Sequence, residues 1–365
     1  MFLKTGHLVF SAIKMIIKFD FSQDDIADVD IRKLSDLFSE AARSSLLGYH
    51  RVVISRSLAK WAALNLDLSK KHKEHILGLG QEFSQLGGQV EKAKYKILVR
   101  HDVGLIDYDD KGTWRIGIDH ALPEGFLSQT SLVLENARND GEFYKMLFDL
   151  NAKLLRFGDL SYVPVHGGGN GSADEITRIA EQKRPVSCIC DTDVKALGGS
   201  ASATYNSVMS AKRLSNPVGL VIGTPAREVE NFLSTNIVRQ ITENQDSLDY
   251  IEHLLDRQGE VDSGDCLWLY MDLKDGFLPG VLDAYARSPH TRKWICNKFD
   301  TTDEEIKNIN VKPMGNNILQ VFMRSERLKS DFHQYVRSAY WAEHFLTWIN
   351  EILWVLAGRK RERVS

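Results

Sequence analysis

The chain has 365 residues, with 46 Lys and Arg against 49 Asp and Glu and a net charge of −3. That balance excludes a protein coated in basic residues for bulk nucleic-acid binding, while leaving room for a local basic groove. At roughly 100 to 200 residues per domain the length predicts two or three domains, and the 43% apolar fraction supports a sizeable core. The cysteines Cys188, Cys190, Cys266 and Cys296 contain no CxxC pair, so neither a zinc site nor a disulfide framework is expected. Reduced thiols in a cytoplasmic protein are the plain reading. Lys14 interrupts the apolar N-terminal stretch, and Asp20, Asp24 and Asp25 follow without a small-residue cleavage site, so a cleaved leader is not expected. No apolar run approaches the length of about 18 residues that a membrane span needs.

In chain order, residues 29–47 and 69–87 carry apolar residues at helical spacing. Residues 95–107 and 114–119 read as two strands joined by the turn at 109–112, a hairpin that makes residues 1–127 an α+β region. Pro123, Gly125 and Ser128 mark a break. After it, SLVLE (131–135), LSYVPVH (160–166), PVSCIC (185–190) and PVGLVIG (217–223) read as strands. A helix through Phe143, Leu147, Leu150 and Leu154 follows the first, a glycine turn and a helix over 173–181 follow the second, and a helix begins near Pro225. Strands alternating with helices predict a doubly wound parallel sheet over residues 128–280. CLWLYMDLK (266–274) reads as a further strand, and residues 281–365 as a helical region. Its last helix, 339–357, aligns Trp341, Phe345, Trp348, Ile352 and Val355 on one side, a stripe that predicts burial in this chain or against a partner.

Carboxylates fall where predicted strands end: Glu135 after the first of these four strands, Asp191 and Asp193 after the third, Glu228 and Glu230 after the fourth. In a parallel sheet those ends share one edge, where ligands bind. Several carboxylates there repel one another unless a cation neutralises them. Mg²⁺ prefers such oxygen donors, taking one or two carboxylates plus substrate phosphates.

SLVLENARNDGEFYKML resembles the opening of TOPRIM domains, where an apolar strand ends in Glu and the next helix carries an Asp and an aromatic pair. VSCICDTD resembles that domain's strand ending in Asp-x-Asp, and the glycines of VPVHGGGN fit the turn between. REVENFL (227–233) and LYMDLKDG (269–276) resemble segments of TOPRIM nucleases of the overcoming-lysogenization-defect type and their bacterial defence relatives. One departure stands out: Glu135 and Asp140 are five apart where the family spacing is four, and Asn139 occupies the expected place. Phe143 and Tyr144 keep register with Asp140. The resemblance implies a metal-dependent endonuclease, a cytoplasmic effector of anti-phage defence, using Mg²⁺ or Mn²⁺ to hydrolyse DNA or RNA. It implies Glu135, Asp191 and Asp193 as principal ligands, Glu230 with Asp140 or Glu228 completing the set, and Lys274 stabilising phosphate charge. A partner such as a defence ATPase or sensor, and a homo-oligomer, are left open, and no membrane partner is expected.

CICDTDVK is also similar to the haloacid-dehalogenase phosphatase signature, with Asp191 as nucleophile, although two strand–helix units precede it here and Glu135 then has no role. A non-catalytic TOPRIM scaffold that binds a partner is the other alternative.

Overall fold

A computed structural model describes residues 15–356 and 358, except 105, 110, 123–124, 155–158, 259–265, 280–281, 283–286 and 339–340, and without the side chains of 92, 154, 337–338 and 341–347. The protein is mixed α/β and builds two mostly parallel sheets.

The first sheet opens with β1 (Ile16–Phe19), followed by α1 (Ile31–Leu46), β2 (Arg51–Val53), α2 (Arg56–Asn65) and α3 (Lys70–Lys92). Local chemistry sets the helix starts: the side chains of Asp30, Ser55 and Ser69 accept the backbone N–H groups of Arg32, Leu58 and His72. Then come β3 (Lys96–Arg100), β4 (Asp107–Asp109), β5 (Thr113–Gly117) and the short α4 (Ile118–Ala121), and the sheet order is β2-β1-β3-β5-β4. Here the structure corrects the expected long hairpin. The turn at 109–112 does join antiparallel strands, with the Asp109 carboxylate accepting from Lys111 and Thr113 N–H groups. Its first arm, however, is only β4, while β3 runs parallel to β5. The region is therefore a parallel α/β sheet with one antiparallel edge strand. Alternation of apolar residues marks a strand without naming its partner, and residues 95–107 hold two strands with different partners.

The second sheet follows the expected grammar. It consists of β6 (Thr130–Leu134), α5 (Asn139–Leu154), β7 (Tyr162–His166), α6 (Ser172–Glu181), β8 (Val186–Cys190), α7 (Ala203–Ser215) and β9 (Val221–Gly223). All neighbours are parallel, in the order β7-β6-β8-β9. β6 and β8 are buried along their whole length, as central parallel strands covered on both faces must be. Edge strand β7 is largely exposed and tolerates Pro164, whose missing N–H no central strand could spare. Cys188 and Cys190 are buried free thiols on one face of β8, while Ile189 faces the main core.

Two further expectations change. Instead of a helix near Pro225, a 3-10 turn spans Val229–Phe232, and α8 (Thr235–Arg239) and α9 (Gln245–Gln258) follow. The expected strand at 266–274 is the short helix α10 (Leu267–Tyr270). Asn231 Nδ2 donates to the carbonyls of Trp268 (2.7 Å) and Met271 (2.9 Å), and Trp268 Nε1 donates to Leu233 O, so this backbone bonds to a loop rather than to a sheet edge. A short apolar run does not reveal which of the two it will become. The chain ends with α11 (Pro289–Phe299), α12 (Ile318–Arg324), α13 (Glu326–Ser338) and α14 (Trp341–Leu356).

One continuous apolar core joins the two sheets and the C-terminal helices. Phe143, fully buried on α5, touches the rings of Phe232, Phe322 and Phe332. Ile352, Leu353 and Val355 of α14 are buried in the same core, so the described side chains at this end of the helix are covered by their own chain. The side chains of Trp341 and Phe345, also placed in the expected stripe, lie outside the described residues. No described helix is long and apolar enough to cross a membrane.

A buried polar contact ties the first sheet to the strand opening the second: His50 Nε2 donates to Ser128 O at 2.6 Å. Burial pushes the His50 pKa down to about 4, against the small opposing effect of that bond. A depressed histidine stays neutral in the fold while the unfolded chain accepts a proton near pH 6.5. Its contribution is complete above about pH 7 and is lost as pH falls from 6.5 towards 4, reaching roughly 3 kcal/mol at about 1.4 kcal/mol per unit. Urea unfolding of the protein and of His50→Gln should show the stability difference between them shrinking over that window. A difference independent of pH would rule this coupling out.

Candidate metal-binding edge

The second sheet has a switch point between β6 and β8: β6 connects outward to β7, and β8 outward to β9 on the other side. Crevices beyond the carboxyl ends of strands at such a point are where open α/β sheets bind ligands. Glu135 directly follows β6, and Asp191 directly follows β8. After Asp191 the chain leaves strand geometry. Asp193 adopts a left-handed backbone with φ 50°, its N–H donates to Arg227 O, and Thr192 Oγ1 donates to Ala226 O at 3.0 Å. That bend brings the loop after β8 against the segment carrying Glu228 and Glu230. The glycine turn after β7 completes the floor. Gly168 has φ 62°, which favours glycine, and the N–H groups of Gly167 and Gly168 donate to Leu134 O and Glu135 O. Those two donors are used within the chain.

The carboxylates sense one another. Burial raises the Asp191 pKa well above the usual carboxylate range, and Asp140, Glu230, Glu135 and Glu228 raise it further. Burial also raises Asp140, to about 6, against the Asn136 N–H that its carboxylate accepts. Glu135 is raised by burial and by Asp193, and Glu228 by burial despite the nearby Lys274. All the acids singled out in the sequence thus meet electrostatically at one edge, Asp140 included.

With Arg227, whose Nε lies 3.8 Å from Glu228 Oε1, Lys274 is a cation of the group. It lies 2.9 Å from Glu228 Oε2 and 3.1 Å from Glu230 Oε1. Burial alone would lower its pKa, but Glu230 and Glu228 overcome that and raise it. The lysine does not end a strand as expected. It sits in a turn after α10, where Asp272 Oδ1 accepts the N–H groups of Lys274 and Asp275. Arg227, buried, pairs in turn with Asp272. Glu228 also caps the turn at 229–232, its own N–H donating to Asn231 Oδ1.

Sequence reasoning gave no role to Arg227, Asp272 or Tyr144. The Arg227–Asp272 pair spans 45 positions, so nothing local announces it. Among the described residues the Tyr144 hydroxyl has no hydrogen-bond partner; it is buried and senses Asp191, Asp140 and Glu230. Its aromatic register with Asp140 was the visible signal.

Among the described residues, no three carboxylate, imidazole or thiol side chains form a ready-made metal cage. Glu228 and Glu230 are instead neutralised by Lys274, while Glu230 Oε2 is buried without a partner. The donor set is all oxygen and suits a hard divalent ion. Beside it a groove of about 550 Å³ is lined by Asn136, Asn139, Arg138, Gln320 and Arg324. Compared with protein-family models, curated proteins and solved structures, the chain matches none.

Proposed function

We propose that the acidic edge is the active centre of a TOPRIM-like, Mg²⁺- or Mn²⁺-dependent nuclease that hydrolyses phosphodiester bonds of nucleic acid. The observation that carries this reading is the cost of the site. Asp191, Asp140, Glu135 and Glu228 are all pushed towards protonation by burial, and neighbouring carboxylates add to that push. Glu230 leaves an oxygen unpartnered. A fold that gathers acids at this expense is suited to hold a cation there, since perturbed groups of this kind cluster at functional sites.

In this reading Glu135, Asp191 and Asp193 hold the ion, with Glu230, Asp140 and Glu228 completing its surroundings. A bound divalent ion would supply Lewis-acid activation of water and phosphate. In the glycine turn a side chain at Gly167 would collide with Ser172, so the turn packs closely against the start of α6. Lys274 offers its ammonium to the charge that develops on the phosphate, released from Glu228 and Glu230 as substrate enters. Arg138 and Arg324 in the adjoining groove suit the flanking phosphates. The assignment to anti-phage defence rests on the sequence resemblance.

Incubating the purified protein with plasmid, single-stranded DNA and tRNA in Mg²⁺, Mn²⁺ or EDTA tests the proposal. Cleavage of at least one substrate is expected with metal and none with EDTA. Mg²⁺ at about a hundred times its dissociation constant should also stabilise the fold by about 2.7 kcal/mol. Absence of both effects would favour the non-catalytic scaffold.

A further inference from the structure

The sheet that carries the acids has a second end. α7 and the start of β9 meet at the edge opposite the carboxylates, beside the β4–β5 hairpin of the first sheet. Between them lies a cavity of about 520 Å³, inside the range of small-ligand sites.

Its lining combines aromatic and cationic side chains. Tyr108, 41% exposed, packs on the buried Trp114 with ring centroids 4.8 Å apart. Both rings line the cavity, so an aromatic surface borders it. Lys212 and Arg213, in the last turn of α7, line it as well. Among the described residues neither makes an ion pair. Lys212 is half-buried, and burial is the single influence on its pKa, which is lowered; no carboxylate compensates it. An ammonium withdrawn from water without a counter-ion costs free energy that a bound anion would return. Asn216 Nδ2 donates to Ile106 O at 3.3 Å, holding the end of α7 to the segment that leads into β4. The two parts of the lining therefore belong to different sheets but are tied at their base.

We propose that this pocket binds a nucleotide, its base against Tyr108 and its phosphate on Lys212 and Arg213. The chemistry is that of a flat ring joined to an anion. Aromatic faces stack bases of every kind, and the planar guanidinium fork of Arg matches phosphate oxygens. An acidic peptide would use the cations and leave the ring surface idle. The nucleotide is either a free one or a unit of a bound strand, and the pocket stands apart from the acidic edge, so the proposal holds whether or not that edge cleaves anything.

Titration calorimetry in EDTA, with AMP, ATP and a twelve-residue oligothymidylate as separate probes, decides it. Wild-type protein is expected to bind at least one probe saturably, and Lys212→Met with Arg213→Ala should weaken that binding by roughly tenfold or more, the effect of losing charge-assisted hydrogen bonds. Tyr108→Leu should weaken it separately, and circular dichroism checks that each variant is folded. Binding of AMP or ATP assigns the pocket to a free nucleotide, and binding of the oligonucleotide alone, lost in the same variants, assigns it to a strand. No binding of any probe, or binding that the Lys212 and Arg213 substitutions leave unchanged, overturns the proposal.

Discussion

Replacing Asp191 by asparagine is expected to abolish metal-dependent cleavage, by at least roughly a hundredfold, while the metal-free protein stays folded and is no less stable than wild type. Burial raises the Asp191 pKa first, and four neighbouring carboxylates add to it. The sign follows from linkage. A carboxyl whose folded pKa is raised binds its proton more tightly in the native state, so stability falls as pH rises from the unfolded value towards the folded one. Asparagine keeps the shape and removes that loss, so the variant's advantage in EDTA should grow as pH rises above about 4. In Mg²⁺ the order should reverse, because the wild type gains from binding and the variant does not. Cleavage assays combined with thermal melts in EDTA and Mg²⁺ at pH 5 and pH 8 measure every part of this. Full activity in the variant would remove Asp191 from the ligand set, and an unfolded variant would make its role structural.

Truncating Trp348 to alanine is expected to cost about 3 kcal/mol, the lower end for a large aromatic because the ring is half-buried. Trp348 does more than fill space. Its Nε1 donates to Gly223 O at 2.8 Å, at the end of β9, and its ring lies 6.2 Å from Tyr144 and 6.0 Å from Phe232. Removing it takes a support from the segment between β9 and the turn bearing Glu228 and Glu230, and from the tyrosine that senses Asp191. Because residues 349 and 352–356 of α14 are buried in their own chain, the loss should appear in denaturant unfolding while the elution volume in size-exclusion chromatography stays the same. A change in elution volume with stability intact would mean that the helix also serves an interface between copies.

Much of residues 128–223 was legible because its signals are local. β6 and β8 are apolar runs bounded by turn residues, α5 and α6 have helical spacing, and the chain alternates between the two types. The acids could be assigned to one edge for the same reason: each follows a strand, and parallel strands end together. Asp140 was the least secure of them by spacing, yet in the fold its carboxyl senses Glu230 and Glu135. α7 was missed, and β3 was joined to β4 in one strand, because pattern alone does not say when a chain leaves a sheet.

By itself, then, the sequence determined the α/β character of the protein, the order of the four strands along the chain and the acidic residues at their ends, since hydrophobic period and turn chemistry act over a few residues. Only the tertiary structure decided the parallel pairing of β3 with β5, the switch point between β6 and β8, and the helical state of residues 267–270. It also decided that Lys274 lies on Glu228 and Glu230, that Arg227 pairs with Asp272, and that Lys212 lines one cavity with Tyr108 and Trp114 of the other sheet. Each of these depends on partners far apart in the chain, and on burial that turns a weak surface charge into a strongly perturbed one.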